Sequence, residues 1–301
     1  MSVQTLAPEE KSRQQIMREQ RQRDIRRFFH TMFSRRIVII GAVGTAFFLL
    51  IALFAPLIAP YDPNAVDLLN KFAPMSAEHL LGTDIYGRDL FSRLVYGTRV
   101  SILTGVIATL MAAIIGCLLG MVASFYGGAV DKLLIAACDT FMAIPGTALA
   151  MALLSLLGGG MLNMAVILCI TTIPGMLRMM RASSLSVMST DYILAAKLSG
   201  ENKLKIMIKH VLPNSISPII VMATQSVGTS IMMESGLSFL GIGIKIPTAS
   251  WGSIINEARP YLMTSPLYVL APCICLALLI ISLNLLGDGI RDAMDPSLRG
   301  A

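Results

Sequence analysis

Charged residues are scarce in this chain: Asp, Glu, Lys and Arg make up 14% of the 301 residues, against 55% hydrophobic residues. Soluble globular domains carry about 25% charged residues, so this shortage excludes an ordinary soluble fold. Residues 37–59 contain no charge at all. A helix needs about 20 apolar residues to cross the hydrocarbon core of a bilayer. The sequence therefore predicts an all-α membrane protein.

Signatures of enzymatic chemistry are also missing. The sequence has no Gly-x4-Gly-Lys-Ser/Thr phosphate loop, no His-Glu-x2-His zinc motif and no Gly-x-Ser-x-Gly nucleophile elbow. The glycine run 158–160 has no lysine behind it and is predicted to be a turn between two membrane helices. We predict no catalytic residue and no cofactor-binding residue, so energy for uphill transport has to come from another subunit.

The cysteines and histidines do not form a metal-ligand pattern. Cys273 and Cys275 point about 200° apart on a helix, and no third ligand is near them in sequence. Cysteines in apolar helices are most simply small buried hydrophobic residues. We predict no metal site. The residues concerned are Cys117, Cys138, Cys169, Cys273 and Cys275, with His30, His79 and His210.

Apolar runs of spanning length predict six transmembrane helices. The first, 37–59, follows a basic tail, 1–36, and precedes a loop, 60–99. A five-helix core, 100–290, contains a polar loop, 181–216, and a short tail, 291–301, ends the chain. The spans of the core are predicted at 100–124, 133–157, 163–180, 217–235 and 267–286.

Lys and Arg collect on one side of this topology. The tail carries nine Lys/Arg against four acids and 178–210 carries six against two, whereas the loop 60–99 has four against five. Basic loops stay in the cytoplasm, so both termini are predicted to be cytoplasmic and the 60–99 loop extracytoplasmic. Four arginines beside the first span are predicted to contact lipid headgroups rather than nucleic acid: Arg26, Arg27, Arg35 and Arg36.

The polar loop predicts an amphipathic helix in its second half. Leu204, Met207, Ile208 and Val211 follow the spacing of one helix face, and basic residues occupy the other side. The periodicity alone leaves open whether this helix lies on the membrane surface or binds another protein.

The same loop resembles the cytoplasmic coupling loop of ATP-binding-cassette importer permeases. The match consists of Leu194-Ala195-Ala196, then Gly200, then Val211-Leu212-Pro213. It implies that a groove of a cytoplasmic ATPase holds the first helix. Leu194 stands where the family pattern has Glu, so the joint is expected to depend on packing. The residues implied in coupling are Asp191, Tyr192, Leu194, Ala195, Ala196, Gly200, Leu212 and Pro213.

Three other segments are similar to the dipeptide, oligopeptide and nickel branch of that family, and to its second permease subunit. They read HLLGTDIYGRDLFSRLVYGTRVS at 79–101, ESGLSFLG with SWG at 234–241 and 250–252, and NLLGDG with its following residues at 284–296. The resemblance implies a type I importer permease fold in the bacterial inner membrane. It also implies four partners: a second permease, two ATPases that bind ATP and Mg, and an extracytoplasmic solute-binding protein.

Five residues are candidates for the pathway or for contact with the binding protein. Asp139 and Glu234 lie within predicted spans, where an ionisable side chain is costly and faces a cavity or a partner. The alternating charges of 84–99 can pair with one another, each pair stabilising by about 0 to 1 kcal/mol at an exposed surface. A structural role stays open for each candidate. The five are Asp84, Arg88, Asp139, Glu234 and Trp251.

The function we predict from the resemblance is that of a permease subunit which moves di- and oligopeptides. Transport of nickel chelates or other small solutes is the first alternative. A secondary transporter is a further alternative, although the sequence lacks the inverted repeats expected of one. A membrane-embedded enzyme that uses Asp139 or Glu234 with His210 is another class of function, but no group of catalytic residues in the sequence supports it.

Overall fold

The computed structural model describes residues 32–33 and 35–294, and these residues form helices and no β-strand. The predicted all-α class is confirmed, and the basic tail lies almost wholly outside the described residues. The α-helices are α1 (Arg36–Leu53), α2 (Ala55–Ile58), α3 (Leu90–Tyr126), α4 (Gly128–Met142), α5 (Gly146–Leu157), α6 (Met161–Met188), α7 (Asp191–Leu198), α8 (Lys203–Ile206), α9 (Leu212–Ser215), α10 (Ser217–Phe239), α11 (Trp251–Ala258) and α12 (Pro266–Met294). Shorter turns occupy Leu68–Asn70, Met207–Val211 and Arg259–Tyr261.

Four of these helices, α1, α3, α6 and α12, are each long and apolar enough to cross a membrane. Two helix pairs that bend at a short break are together also long and apolar enough to form a span each. The α4–α5 pair bends by 87°, and the segment Lys203–Ser215 meets α10 at 53°. The described chain therefore has four to six candidate spans, and the predicted six is reached when each bent pair counts as one.

The prediction of one continuous helix over 133–157 was wrong. The helix ends at Met142, and α5 begins at Gly146 after Pro145. Proline has no N–H to donate and disfavours the helical conformation of the residue before it. The break is therefore set by the sequence Ile144-Pro145-Gly146.

Helix α3 packs closely along α6. A Cβ atom built at Gly116 would lie 2.4 Å from Cβ of Met176, and one built at Gly120 would lie 2.7 Å from the Leu177 carbonyl oxygen. Small residues four apart let membrane helices approach closely, because lipid supplies no hydrophobic force to drive them together. The Gly116-x3-Gly120 pattern thus fixes the inner half of α6 against α3.

The loop between α6 and α10 and the two ends of the described chain lie at the same face. Arg35 Nη1 is 2.8 Å from Asp292 Oδ2, so α1 starts where α12 ends. Leu90 at the start of α3 packs with Tyr268 at the start of α12, whereas Phe125 at the end of α3 packs against the loop. We call the face with the loop and both chain ends the inner face, and the opposite one the outer face.

Candidate functional site

Helix α7, the first half of the loop, is held against the inner ends of α3 and α6. Only Ser189 and Thr190 separate it from α6. Ile193 is fully buried and packs with Ile206, Met207 and Val211 of the second half, over which Met121 and Phe125 of α3 also lie. The loop is therefore a small packed unit that is joined to α6 by a two-residue connection and by shared packing.

The opposite side of α7 is an exposed apolar face. Leu194 is 55% exposed, Leu198 is 82% exposed, and Tyr192 lies beside them at 46%. Ala195 adds a small exposed position between these side chains, and Ala196 is half-buried against the loop core. A cluster of large exposed apolar side chains outside the spans is typical of a surface that contacts another protein or the membrane. Of the other predicted coupling residues, Asp191, Gly200 and Pro213 are exposed and Leu212 is half-buried.

A left-handed glycine ends α7. Gly200 has φ +75°, its N–H donates to the Lys197 carbonyl at 3.1 Å, and the Glu201 N–H donates to the Ala196 carbonyl at 3.2 Å. These two bonds form the Schellman motif, which satisfies the last carbonyls of a helix and reverses the chain. The predicted reversal at Gly200 therefore has a defined backbone requirement for glycine.

The predicted apolar face of the second half was partly wrong. Leu204 and Ile208 are more than half exposed, whereas Ile206 is buried together with Met207 and Val211. The cause is the π-helical turn Met207–Val211, in which hydrogen bonds run five residues back, as from Leu212 N–H to the Met207 carbonyl. The wider turn brings Ile206 and Val211, five residues apart, onto one face.

Glu201 ties the turn after α7 to the π-helical turn. One carboxylate oxygen is 2.8 Å from Lys205 Nζ and the other is 2.9 Å from His210 Nε2. The hydrogen bond from Lys205, together with that from His210, lowers the pKa of Glu201. The carboxylate is therefore ionised at neutral pH. Its lowered pKa contributes stability above the ordinary pKa of a glutamate, and this stability is lost as the pH falls through the lowered pKa. Sequence spacing predicted the helix but not the bonds by which Glu201 joins the two halves of the loop.

Two ion pairs join α6 to α4. Arg178 pairs with Asp139, one of the predicted pathway candidates, and Arg181 Nη2 donates to Asp131 Oδ2 at 2.6 Å. The two arginines lie within one turn of each other, in the inner half of α6, which ends at Met188. Side-chain contacts therefore link α6, the helix that precedes α7, to the broken α4–α5 span.

The outer charges form a buried cluster, so the expectation of weak exposed pairs was wrong. Asp84 and Arg93 have fully buried side chains, and Arg88 Nε lies 2.5 Å from Asp84 Oδ2. Glu257 of α11, which sequence spacing did not identify, bonds to both Arg88 and Arg93, the latter at 3.1 Å. Burial acts to lower the pKa of Arg88, but the charges of Glu257 and Asp84 outweigh it and raise that pKa.

Trp251 and Glu234 are also internal to this subunit. The Trp251 ring is fully buried and its Nε1 donates to the Leu94 carbonyl at 3.2 Å. The Glu234 carboxylate is fully buried and accepts from Ser238 Oγ at 2.8 Å, with the hydroxyls of Ser101 and Ser250 against it. Both residues, like Asp84 and Arg88, hold elements of the outer face together and present no surface to a partner in this conformation.

A family profile matches most of the chain. The family described as the binding-protein-dependent transport system inner membrane component matches residues 105–300. The chain belongs to this family. A second profile, described as the N-terminal TM domain of oligopeptide transport permease C, matches residues 25–74 of this permease. The predicted family and the predicted location in the inner membrane are confirmed.

Named relatives and one solved structure agree with the family. This permease is 36% identical over 274 residues to the dipeptide transport system permease protein DppC of Alkalihalophilus pseudofirmus, with 91% of this chain and 90% of that one covered. It is 38% identical over 277 residues to the glutathione transport system permease protein GsiD of Pectobacterium atrosepticum, with 91% of each covered. The inward-facing MetNI methionine ABC transporter matches with a TM-score of 0.56 and 19% identity, covering 67% of this chain and 96% of that one. The importer permease fold is thereby confirmed.

Proposed function

We propose that this permease imports short peptides, as one of two unlike permease subunits that form a pathway between them. The names of the relatives support the substrate class, because they are described as dipeptide and glutathione transport permeases. The exposed apolar face of α7 supports the coupling role. Two cytoplasmic ATPases that bind ATP and Mg drive the cycle, and an extracytoplasmic binding protein delivers the peptide.

The coupling step we propose runs from the inner face into the membrane. Closure of the ATPases on ATP displaces α7, which is fixed to α6 through Ile193 and the loop core. The ion pairs of Arg178 and Arg181 then pull α4, the inner half of the broken span. This orientation places the inner face and both termini in the cytoplasm, where the ATPases are.

Purification of the tagged permease from gently solubilised native membranes tests this proposal. We expect mass spectrometry of the bound proteins to find a second permease, one or two ATPases and a solute-binding protein. The ligand carried by that binding protein identifies the substrate. Recovery of the permease alone, active in liposomes without ATP, would overturn the proposal in favour of a secondary transporter, and a nickel-loaded binding protein would overturn the peptide assignment.

Replacing Gly200 with valine should weaken coupling. A side chain at φ +75° costs about 1–2 kcal/mol for a residue with a Cβ, while no neighbouring atom lies within 4 Å to clash. The strain therefore acts on the reversal between α7 and α8 and leaves the spans intact. We expect less uptake per ATP hydrolysed at an unchanged amount of permease in the membrane. Gly200→Asn is the matched control, because asparagine tolerates this conformation, and equal uptake by both variants would contradict the role of the reversal.

A further inference from the structure

Ten consecutive residues of the broken α4–α5 span, 139–148, are exposed in the isolated subunit. They comprise the end of α4, the break and the first turn of α5, which meet at 87°. The exposed residues of α1 alternate with buried ones, because α1 packs along one side. The continuous stretch at the break has no such packed side, so another surface of the assembled transporter, a water-filled space or lipid has to cover it.

The backbone at the break excludes lipid as the cover. Pro145 precedes α5 and provides no side-chain cap for the N–H groups of its first turn. The bond from the Ile144 N–H to the Phe141 carbonyl is long, at 3.4 Å. Hydrocarbon accepts no hydrogen bonds, so non-helical backbone at membrane depth lies against protein or lines a water-filled cavity. The break therefore faces the interior of the transporter.

The ion pair beside the break leads to the same conclusion. Asp139 and Arg178 pair with each other, yet their side chains are 55% and 43% exposed. Ionisable groups within spans face a cavity or a partner because exposure to lipid is costly. The exposed face of α1 is different, since no charge occurs between Ile37 and Leu53. We assign the α1 face to lipid and the face of the break to the pathway.

A cavity of about 220 Å³ lies between the break and α6. One water molecule occupies about 30 Å³ in the liquid, so the space accommodates a large side chain. Thr171, Pro174 and Arg178 follow one another at steps of three and four residues along α6, which places the ion pair at the edge of the cavity. The side chains that line it are apolar apart from that of Thr171, and polar backbone atoms contribute the rest of the surface. The lining residues are Phe141, Met142, Ile144, Gly146, Leu149, Thr171 and Pro174.

We propose that this cavity is a substrate site of the pathway, which takes one apolar side chain of a short peptide while Asp139 and Arg178 contact its charged ends. A peptide carries an ammonium group and a carboxylate, and the pair offers one carboxylate and one guanidinium at the edge of the cavity. In secondary transporters, substrate sites near the middle of the membrane commonly form at broken helices, because the break leaves polar backbone groups free to bind the substrate. The assignment rests on the proposed function as a peptide importer.

Photo-crosslinking in the complete importer tests the location. The variant Phe141→p-benzoylphenylalanine places a crosslinker at the cavity, and Phe47→p-benzoylphenylalanine places the same group on the exposed face of α1. With radiolabelled leucyl-leucine, the binding protein and ATP, we expect labelled permease from the first variant and background labelling from the second. Crosslinks from position 141 to the second permease alone, or equal peptide labelling from both positions, would overturn the site.

A cavity-filling variant tests the chemistry. Gly146 lines the cavity, and a Cβ atom built there meets only the terminal methyl of Met233, at 3.8 Å, so Gly146→Leu is the variant chosen to fill the cavity. We expect its kcat/KM for leucyl-leucine to fall about tenfold relative to glycyl-glycine, the scale of apolar pocket discrimination. Ala46→Leu, on the exposed face of α1, should leave this ratio unchanged. If the ratio is unchanged in Gly146→Leu while the peptide-loaded binding protein still stimulates ATP hydrolysis, the substrate site is overturned and the peptide-import proposal stands. Failure of that stimulation in the unmodified importer would overturn the peptide-import proposal and the site with it.

Discussion

Replacing Ala195 with tryptophan should abolish ATP-driven uptake while the permease stays folded. Ala195 is exposed on α7 between the exposed side chains of Tyr192, Leu194 and Leu198. In the proposed joint these side chains fill a groove of the ATPase, and the small alanine allows the helix to approach it. An indole at this position separates the two surfaces. Disruption at the centre of an interface costs 2 kcal/mol or more, so we expect affinity for the ATPase to fall by roughly 30-fold or more.

The measurement is co-purification of the ATPase with the permease, followed by uptake in liposomes. Ala46→Trp is the matched control, because it adds the same indole to an exposed alanine on α1. We expect Ala46→Trp to retain both the ATPase and uptake. Retention of the ATPase by Ala195→Trp, with normal uptake, would show that the groove lies elsewhere on the loop.

The sequence identified the exposed residues of α7 but not the packing beneath the second half of the loop. The Ala195-Ala196 pair and Gly200 were identified from the resemblance to the family's loop. That pattern could locate them because a helix face and a left-handed reversal are properties of neighbouring residues. The π-helical turn is different, because it shifts the register of every residue around it. Burial of Ile206 in place of Leu204 depends on that shift and on the ends of α3 and α6, which no spacing rule contains.

In the spans, too, features set by neighbouring residues could be predicted from the sequence, whereas contacts between distant residues could not. Apolar runs predicted where the membrane helices lie, because the hydrocarbon core imposes length and composition on each helix separately. The break before Gly146 follows from Pro145 together with the glycine after it. A proline alone would not have predicted it, because Pro174 and Pro272 lie inside continuous helices. The buried partner of Arg88 and Arg93 could not be predicted, because Glu257 lies far away in sequence and reaches them only when α11 folds against α3.

That partner leads to the second large effect we expect: Glu257→Ala should destabilise the permease by about 3–5 kcal/mol. Arg88 and Arg93 are almost fully buried, and Glu257 and Asp84 are the carboxylates that bond to them. Loss of one carboxylate leaves a buried positive charge without compensation. Thermal unfolding in detergent can be followed with a thiol-reactive dye, because the five cysteines are free and at least partly buried. Glu78→Ala, at an exposed carboxylate of the same outer loop, should change little.

A double variant separates charge from packing in this cluster. Arg93→Met combined with Glu257→Ala removes one positive and one negative charge and leaves the Asp84–Arg88 pair balanced. If uncompensated charge causes the loss, the double variant should be more stable than Glu257→Ala, since charges in one cluster couple strongly. If the losses of stability caused by the two single variants simply add, the cluster stabilises the outer face through close packing around Arg93 and not through charge. A coupling free energy above about 1 kcal/mol would instead establish that balanced charge holds α11 against α3.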